Sequence, residues 1–217
     1  MKKKLIILTG PTAVGKTDLS IRLARTVGGE IISADSMQVY RRMDIGTAKI
    51  RPEEMDGVRH HLIDILEPTE SFNAFLFKEY ALKAANEIWE RGSIPIIVGG
   101  TGFYIQTLLY DIEFAKSDEN DGIRDELNKL YEEHGAAFLH DMLAKVDPEY
   151  AAEVHENNVK KVIRAIEFYR QTGHRMSEHN TEQRERTSPY NFEYFVLSDD
   201  RACLLYTSPS PRDKRQS

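Results

Sequence analysis

One cysteine, one tryptophan and no long apolar run set the first limits on this 217-residue chain. A lone Cys203 excludes a disulfide framework and any cysteine-rich zinc site, and fits a reducing, cytoplasmic setting. No stretch approaches the roughly 18 apolar residues that a membrane span needs, so no membrane association is expected. The start, MKKKLIILTG, has a basic flank like a signal peptide, but its apolar run stops at Leu8 and Gly10-Pro11 follows. There is no excess of positive charge. With 29 Lys and Arg against 35 Asp and Glu the net charge is −6, so any nucleic-acid contact must come from a local basic patch. What remains, at 41% hydrophobic and 29% charged residues, is ordinary globular composition.

Short apolar runs alternate with helical patterns through the first half of the chain. Leu5 to Leu8, Glu30 to Ser33, His61 to Ile65 and Ile94 to Val98 read as strands, and residues 17–27 and 72–91 as helices. Continuous apolar strands separated by helices predict an α/β fold with a parallel sheet flanked by helices. Residues 1–115 are assigned to this core. Residues 116–156 are polar and helical and are read as a helical insert. Residues 157–202 are read as a return to the core, through a basic helix (157–171) and a last core strand, Asn191 to Leu197. For residues 203–217, rich in Ser-Pro, two readings stand: a disordered tail, or a foreign or misjoined end.

The chemistry begins at Gly10-Pro11-Thr12-Ala13-Val14-Gly15-Lys16-Thr17, which fits G-x-x-x-x-G-K-[ST] between a predicted strand and a predicted helix. Such a turn wraps backbone N–H groups around an anion, and the helix N-terminus adds its dipole. Lys16 brings a mobile positive charge. The Thr17 hydroxyl is placed to ligate Mg²⁺ between phosphate oxygens. A P-loop-like core is therefore expected, with a di- or triphosphate ligand. By itself the loop fits a kinase, a GTPase or an enzyme that grips pyrophosphate. Asp35 follows the second strand, where ligands gather in open parallel sheets, and is either a general base or Mg²⁺ partner or a helix cap. His60-His61 has no third ligand at a metal spacing, and a metal site there is rejected.

Further motifs narrow the choice. GPTAVGKT, ISADSMQVY, MDIGTAK (Met43 to Lys49), HHLIDI (His60 to Ile65) and VGGTGFYI (Val98 to Ile105) resemble, in order, those of the tRNA dimethylallyltransferase family, and Lys161 to Glu167 with Thr172-Gly173 continues the resemblance. It runs from residue 4 to about residue 200 and stops where the Ser-Pro tail begins; members of that family continue well past this length. The resemblance implies transfer of a dimethylallyl group from its diphosphate to N6 of an adenosine next to the anticodon of tRNA, with diphosphate released. It implies Asp35 as the base, Thr101 as a substrate contact and Arg164 as a pyrophosphate contact, three catalytic positions in all. Residues 10–17 would hold the donor diphosphate, with Mg²⁺ at Thr17.

The tRNA partner, through its anticodon stem-loop, is expected to meet Asp35, Ser36, Met37, Gln38 and Thr101 around a flipped adenine. Met37 and Tyr40 would line the passage, and the helical insert would grip the stem-loop. Residues 157–175 carry five basic side chains against the single Glu167, so Lys160, Lys161 and Arg175 are candidates for RNA contact, and the resemblance implies the same for Arg124, solvated surface charge being the alternative. A monomer is expected. A small-molecule kinase, a transferase acting on free AMP and an inert diphosphate-binding fragment are the rivals.

Overall fold

A computed structural model describes residues 2–112, 122–200 and 204. Five strands form one sheet: β1 (Lys4–Thr9), β2 (Gly29–Ser33), β3 (His60–His61), β4 (Ile94–Gly99) and β5 (Asn191–Val196). Their order is β3-β2-β4-β1-β5, and every pairing is parallel. The connecting helices are α1 (Lys16–Val27), α2 (Ala74–Glu90) and α3 (Gly102–Leu109). The expected α/β fold, a parallel sheet with flanking helices and a P-loop-like core, is what the chain adopts.

Sequence explains the central strands directly. Leu5, Ile7, Leu8, Ile31, Ile32, Ile96 and Ile97 are buried almost completely, as strands covered on both faces require. α1 turns Ile21 and Ala24 onto β2 and β4, in a cluster with Ile31, Ile50, Val58 and Ile96. It ends at Gly28, whose φ of 65° suits a residue without a Cβ. α2 starts at Asn73, whose side chain accepts the Leu76 N–H at 3.0 Å, and buries Phe77, Ala81, Ala84, Ala85 and Ile88.

The chain divides into two compact units, residues 1–112 with 188–217, and residues 113–187. The second unit has its own core. It contains α4 (Ile123–Val146), α5 (Pro148–Glu153), α6 (Val159–Thr172) and α7 (Met176–Glu185). α4 is two helices joined across Gly135, whose φ of 82° breaks the helical path. Leu127, Leu139 and Leu143 of α4 pack with Val162, Ile163, Ala165, Ile166 and Phe168 of α6. Asp147 is buried between α4 and α5, accepting the Tyr150 N–H at 3.0 Å and the Ser177 N–H at 2.9 Å.

Three expectations need correction. The third strand was expected over His61 to Ile65, but only His60 and His61 pair, with Ile31 and Ile32. Leu62 and Asp64 adopt φ of 64° and 54°, which no strand can accommodate, and Ile65 instead bonds to the Val39 carbonyl. The basic helix α6 belongs to the second compact unit and not to the unit that holds the sheet. Its apolar face is spent on α4, and the return comes at Ser188. β5 is an edge strand with Tyr194, Phe195 and Val196 exposed, not a core strand. α3 and α7 were not expected. Of the insert, residues 116–121 lie outside the described residues, as does all of 203–217 except Leu204. Among the described residues no helix is long and apolar enough to cross a membrane.

Candidate active site

The phosphate loop leaves β1 at Thr9 and enters α1 at Lys16. Gly15 sits at φ 83° immediately before the helix, a conformation that L side chains avoid. Ala13 also takes a positive φ, 68°. The Lys16 ammonium donates to the carbonyls of Gly10 (2.8 Å) and Pro11 (2.5 Å), so it lies over the loop it serves. Burial pushes the Lys16 pKa below the usual lysine value, while the negative charge of Asp35 pulls the other way. The loop and Asp35 therefore share one electrostatic site.

Asp35 follows β2. Its Oδ1 accepts the N–H groups of Met37 (2.8 Å) and Gln38 (3.2 Å), a local turn that fixes the carboxylate. The Gln38 carboxamide is engaged at both ends. Its oxygen accepts from the Ser33 hydroxyl at 3.3 Å, and its nitrogen donates to the carbonyls of Thr47 (3.2 Å) and Ala48 (3.4 Å). Met37 is 42% exposed, and Ser36 and Tyr40 are half-buried. β4 delivers Gly99-Gly100-Thr101 beside them. A Cβ on Gly99 would lie 2.2 Å from the Ala34 carbonyl oxygen, so only glycine lets the ends of β2 and β4 approach this closely. Thr101 occupies the N-cap position of α3.

These strand ends line a solvent-open cleft. Lys16, Thr17 and Asp35 supply charged and hydroxyl groups to its lining, and Ile31, Ile50, Ile63 and Val98 supply aliphatic ones. Ser20, Ser33, Gln38, His60 and Gly99 complete the lining. The aliphatic residues and His60 were missed in the sequence. The signal available was positional: in an open parallel sheet, residues at the carboxyl ends of neighbouring strands line one crevice. His60 and His61 turn to different partners, as adjacent strand residues must. His60 Nδ1 lies 2.9 Å from the Val58 carbonyl, and burial pushes its pKa down. His61 Nε2 lies 2.8 Å from Glu30.

The remaining candidates lie in the second unit. On α6, Lys160, Lys161 and Arg164 are exposed. Arg164 lies close enough to Tyr150 for its charge to act on that phenol, whose pKa is nevertheless raised, chiefly by burial. Arg124 pairs with the buried Glu167 at 2.8 Å while its own side chain stays 59% exposed. Arg175 caps α7 and is exposed.

Comparison with known proteins places this geometry among relatives. A family model described as IPP transferase matches residues 38–207. A tRNA dimethylallyltransferase of Lachnoclostridium phytofermentans is 58% identical over 200 residues, which are 92% of this chain and 64% of that protein. A tRNA dimethylallyltransferase of Bacillus mycoides is 48% identical over 203 residues, again 64% of its length. The chain thus spans about two-thirds of these relatives or slightly less. Among solved structures, a eukaryotic dimethylallyltransferase acting on tRNA matches with a TM-score of 0.84 at 33% identity, covering 94% of this chain and 50% of that one. A tRNA isopentenylpyrophosphate transferase from Staphylococcus epidermidis matches with a TM-score of 0.60 at 45% identity, covering 94% and 66%.

Proposed function

Because the chain belongs to the IPP transferase family, we propose that its cleft binds dimethylallyl diphosphate and serves transfer of the dimethylallyl group to N6 of an adenosine next to the anticodon of tRNA. The observation that carries this reading is the cleft's mixed lining: Lys16 and Thr17 of the phosphate loop, Asp35 and four aliphatic side chains all border one cleft. An alkyl diphosphate has that polarity.

The reaction asks three things of these residues. As the carbon–oxygen bond breaks, its electron pair leaves with diphosphate, and loop N–H groups with Lys16 stabilise the growing charge. The exocyclic amine is a weak nucleophile because its lone pair is delocalised into the ring, so its proton must leave as the new N–C bond forms. Asp35 takes it, through Oδ2, since Oδ1 is bonded to the Met37 and Gln38 N–H groups. Finally, the target base must swing out of its stack, which a single-stranded loop permits at a cost of a few kcal/mol.

Thr101 as a substrate contact and Arg164 as a diphosphate contact rest on the resemblance of their motifs. The exposed row Lys160, Lys161 and Arg164 supports a role against RNA phosphates, and the helical unit is assigned the anticodon stem-loop. A Mg²⁺ ion suits the donor set, because the Thr17 hydroxyl and the Asp35 carboxylate are hard oxygen ligands on the cleft that a substrate phosphate would share. Bound there, it would supply further neutralisation of the leaving diphosphate.

The test is a comparison of acceptors and donors. The chain is incubated with labelled dimethylallyl diphosphate and either tRNA or AMP, and separately with labelled ATP and small hydroxyl acceptors. Label on tRNA alone is expected. Label on AMP alone, or phosphate transfer from ATP, overturns the reading. Donor binding without transfer to any acceptor marks the chain as an inert fragment of its longer relatives.

A further inference from the structure

Between Gln38 and β3 the chain holds one apolar side chain out in solvent. Ile45 is 99% exposed, more than any other large hydrophobic side chain among the described residues. Single exposed apolar residues are common on protein surfaces, so exposure alone carries no meaning. What sets Ile45 apart is the bonding of the loop around it. Lys49 is buried, and its ammonium donates to the Tyr40 carbonyl (2.7 Å), Asp44 Oδ1 (2.7 Å) and Asp64 Oδ1 (2.6 Å). These three bonds use all three of its protons. Asp44 is the residue next to Ile45. On the other side, the Thr47 hydroxyl donates to the Met43 carbonyl at 2.6 Å and closes the loop over residues 44–46. The same loop borders the cleft. The carbonyls of Thr47 and Ala48 accept from Gln38 Nε2, and Gln38 and Ile50 both line the cleft. Ile45 is two residues from Thr47, so their Cα atoms are at most about 8 Å apart.

We propose that Ile45 is a wedge that enters the gap left in the RNA loop when the target adenine swings out, packing against the bases on either side. The proposal rests on the reading of this chain as a transferase acting on an adenosine of tRNA. A base that leaves its stack exposes the faces of its two neighbours to water, and an apolar side chain in the gap covers them again and opposes the base's return. Isoleucine suits the task. It has no polar group to satisfy between bases, and its branched Cβ makes it stiff at χ1. The bonds of Lys49 and Thr47 fix the loop beforehand, so little ordering remains to be done on binding. Ile45 acts on the flip and touches no reacting atom, so it is a positioning residue.

The test separates the flip from the chemistry. An anticodon stem-loop RNA carries 2-aminopurine in place of the target adenosine; it has no N6 amine to react, and its fluorescence rises when it leaves the stack. The full chain, Ile45→Ser and Ile45→Leu are compared at saturating RNA. Single-turnover transfer from labelled dimethylallyl diphosphate is measured on two further RNAs, one with the natural loop and one in which both nucleotides flanking the adenosine are abasic. The unmodified chain is expected to raise the fluorescence. Ile45→Ser should lower the flipped population and slow transfer to the natural loop by about tenfold, the order that burying an isoleucine side chain allows, and Ile45→Leu should restore both. On the RNA with abasic flanks there is no stack to open or refill, so all three proteins should transfer at one rate. Inorganic diphosphate should bind all three alike, since Ile45 supports no packing. Should Ile45→Ser lose that binding, Ile45→Ala takes its place in the same comparison. An Ile45→Ser chain that flips and transfers like the unmodified one overturns the proposal, as does a deficit that persists on abasic flanks. If the unmodified chain neither raises the fluorescence nor labels either RNA, the tRNA reading fails and the wedge falls with it. Flipping and labelling that Ile45→Ser leaves unchanged sink the wedge alone.

Discussion

On the proposed function, Asp35 is the residue at which donor binding and transfer separate. It is fixed by two N–H bonds to one oxygen, and its charge acts on Lys16 across the cleft. Asp35→Asn keeps the side chain's shape and one carbonyl oxygen to accept those bonds, but removes the proposed base. Transfer to tRNA should slow by at least about a hundredfold in single-turnover measurements, while dimethylallyl diphosphate still binds. An unchanged rate would take the base role away from Asp35. Gly99 makes a second prediction, about stability. The atom nearest an added Cβ is the backbone oxygen of Ala34, which cannot rotate away, so Gly99→Ala must part β2 from β4. A loss of about 1–3 kcal/mol in denaturant unfolding is expected. The phosphate loop was legible because its chemistry is local: eight consecutive residues contain the turn, the lysine and the hydroxyl. The aliphatic part of the lining was not legible, because Ile31, Ile50, Ile63 and Val98 are scattered over the chain and meet only in the fold.

Elements were readable where burial alone dictates them. β1, β2 and β4 are covered on both faces, and their continuous apolar runs leave no other choice. The run after His61 looked alike, yet Leu62 and Leu66 bury their side chains from an irregular segment. Apolar sequence reports burial and does not by itself report backbone pairing. For the same reason α6 was readable as an amphipathic helix while its partner was not. One element junction carries a testable charge arrangement. Glu30 on β2 accepts from Arg91 at 2.9 and 2.8 Å and lies 2.8 Å from His61 on β3, with its side chain 13% exposed. Burial alone would push the Glu30 pKa up, but the bonds from Arg91 and His61 outweigh it and hold the carboxyl below its ordinary value. The stability this supplies is complete above the ordinary carboxylate range and is lost as pH falls through the lowered folded value. Glu30→Gln should therefore be the less stable protein at neutral pH, and the gap in urea midpoint should close as pH falls from about 5 to 3. A gap that stays constant over that range would show that the charge is not what matters.

At the scale of the whole molecule, the division into two compact units makes a prediction. The phosphate loop, Asp35 and the cleft are all built from residues of the first unit. The second unit closes its own core around Leu127, Leu139 and Leu143, each fully buried. Its boundary was hard to read from sequence, because the polar, helical character that marks residues after 116 does not change where α6 begins. Leu139→Ala removes a buried side chain from this core and should lower its stability by about 2–5 kcal/mol, measured by helical circular dichroism in denaturant. Below that transition, inorganic diphosphate should bind the variant as tightly as the unmodified chain, since no part of the loop depends on Leu139. Titration calorimetry on both proteins makes the comparison. A parallel fall in diphosphate affinity and helical stability would mean that the two units fold as one. The anion site would then owe its shape to the helices as well as to the sheet.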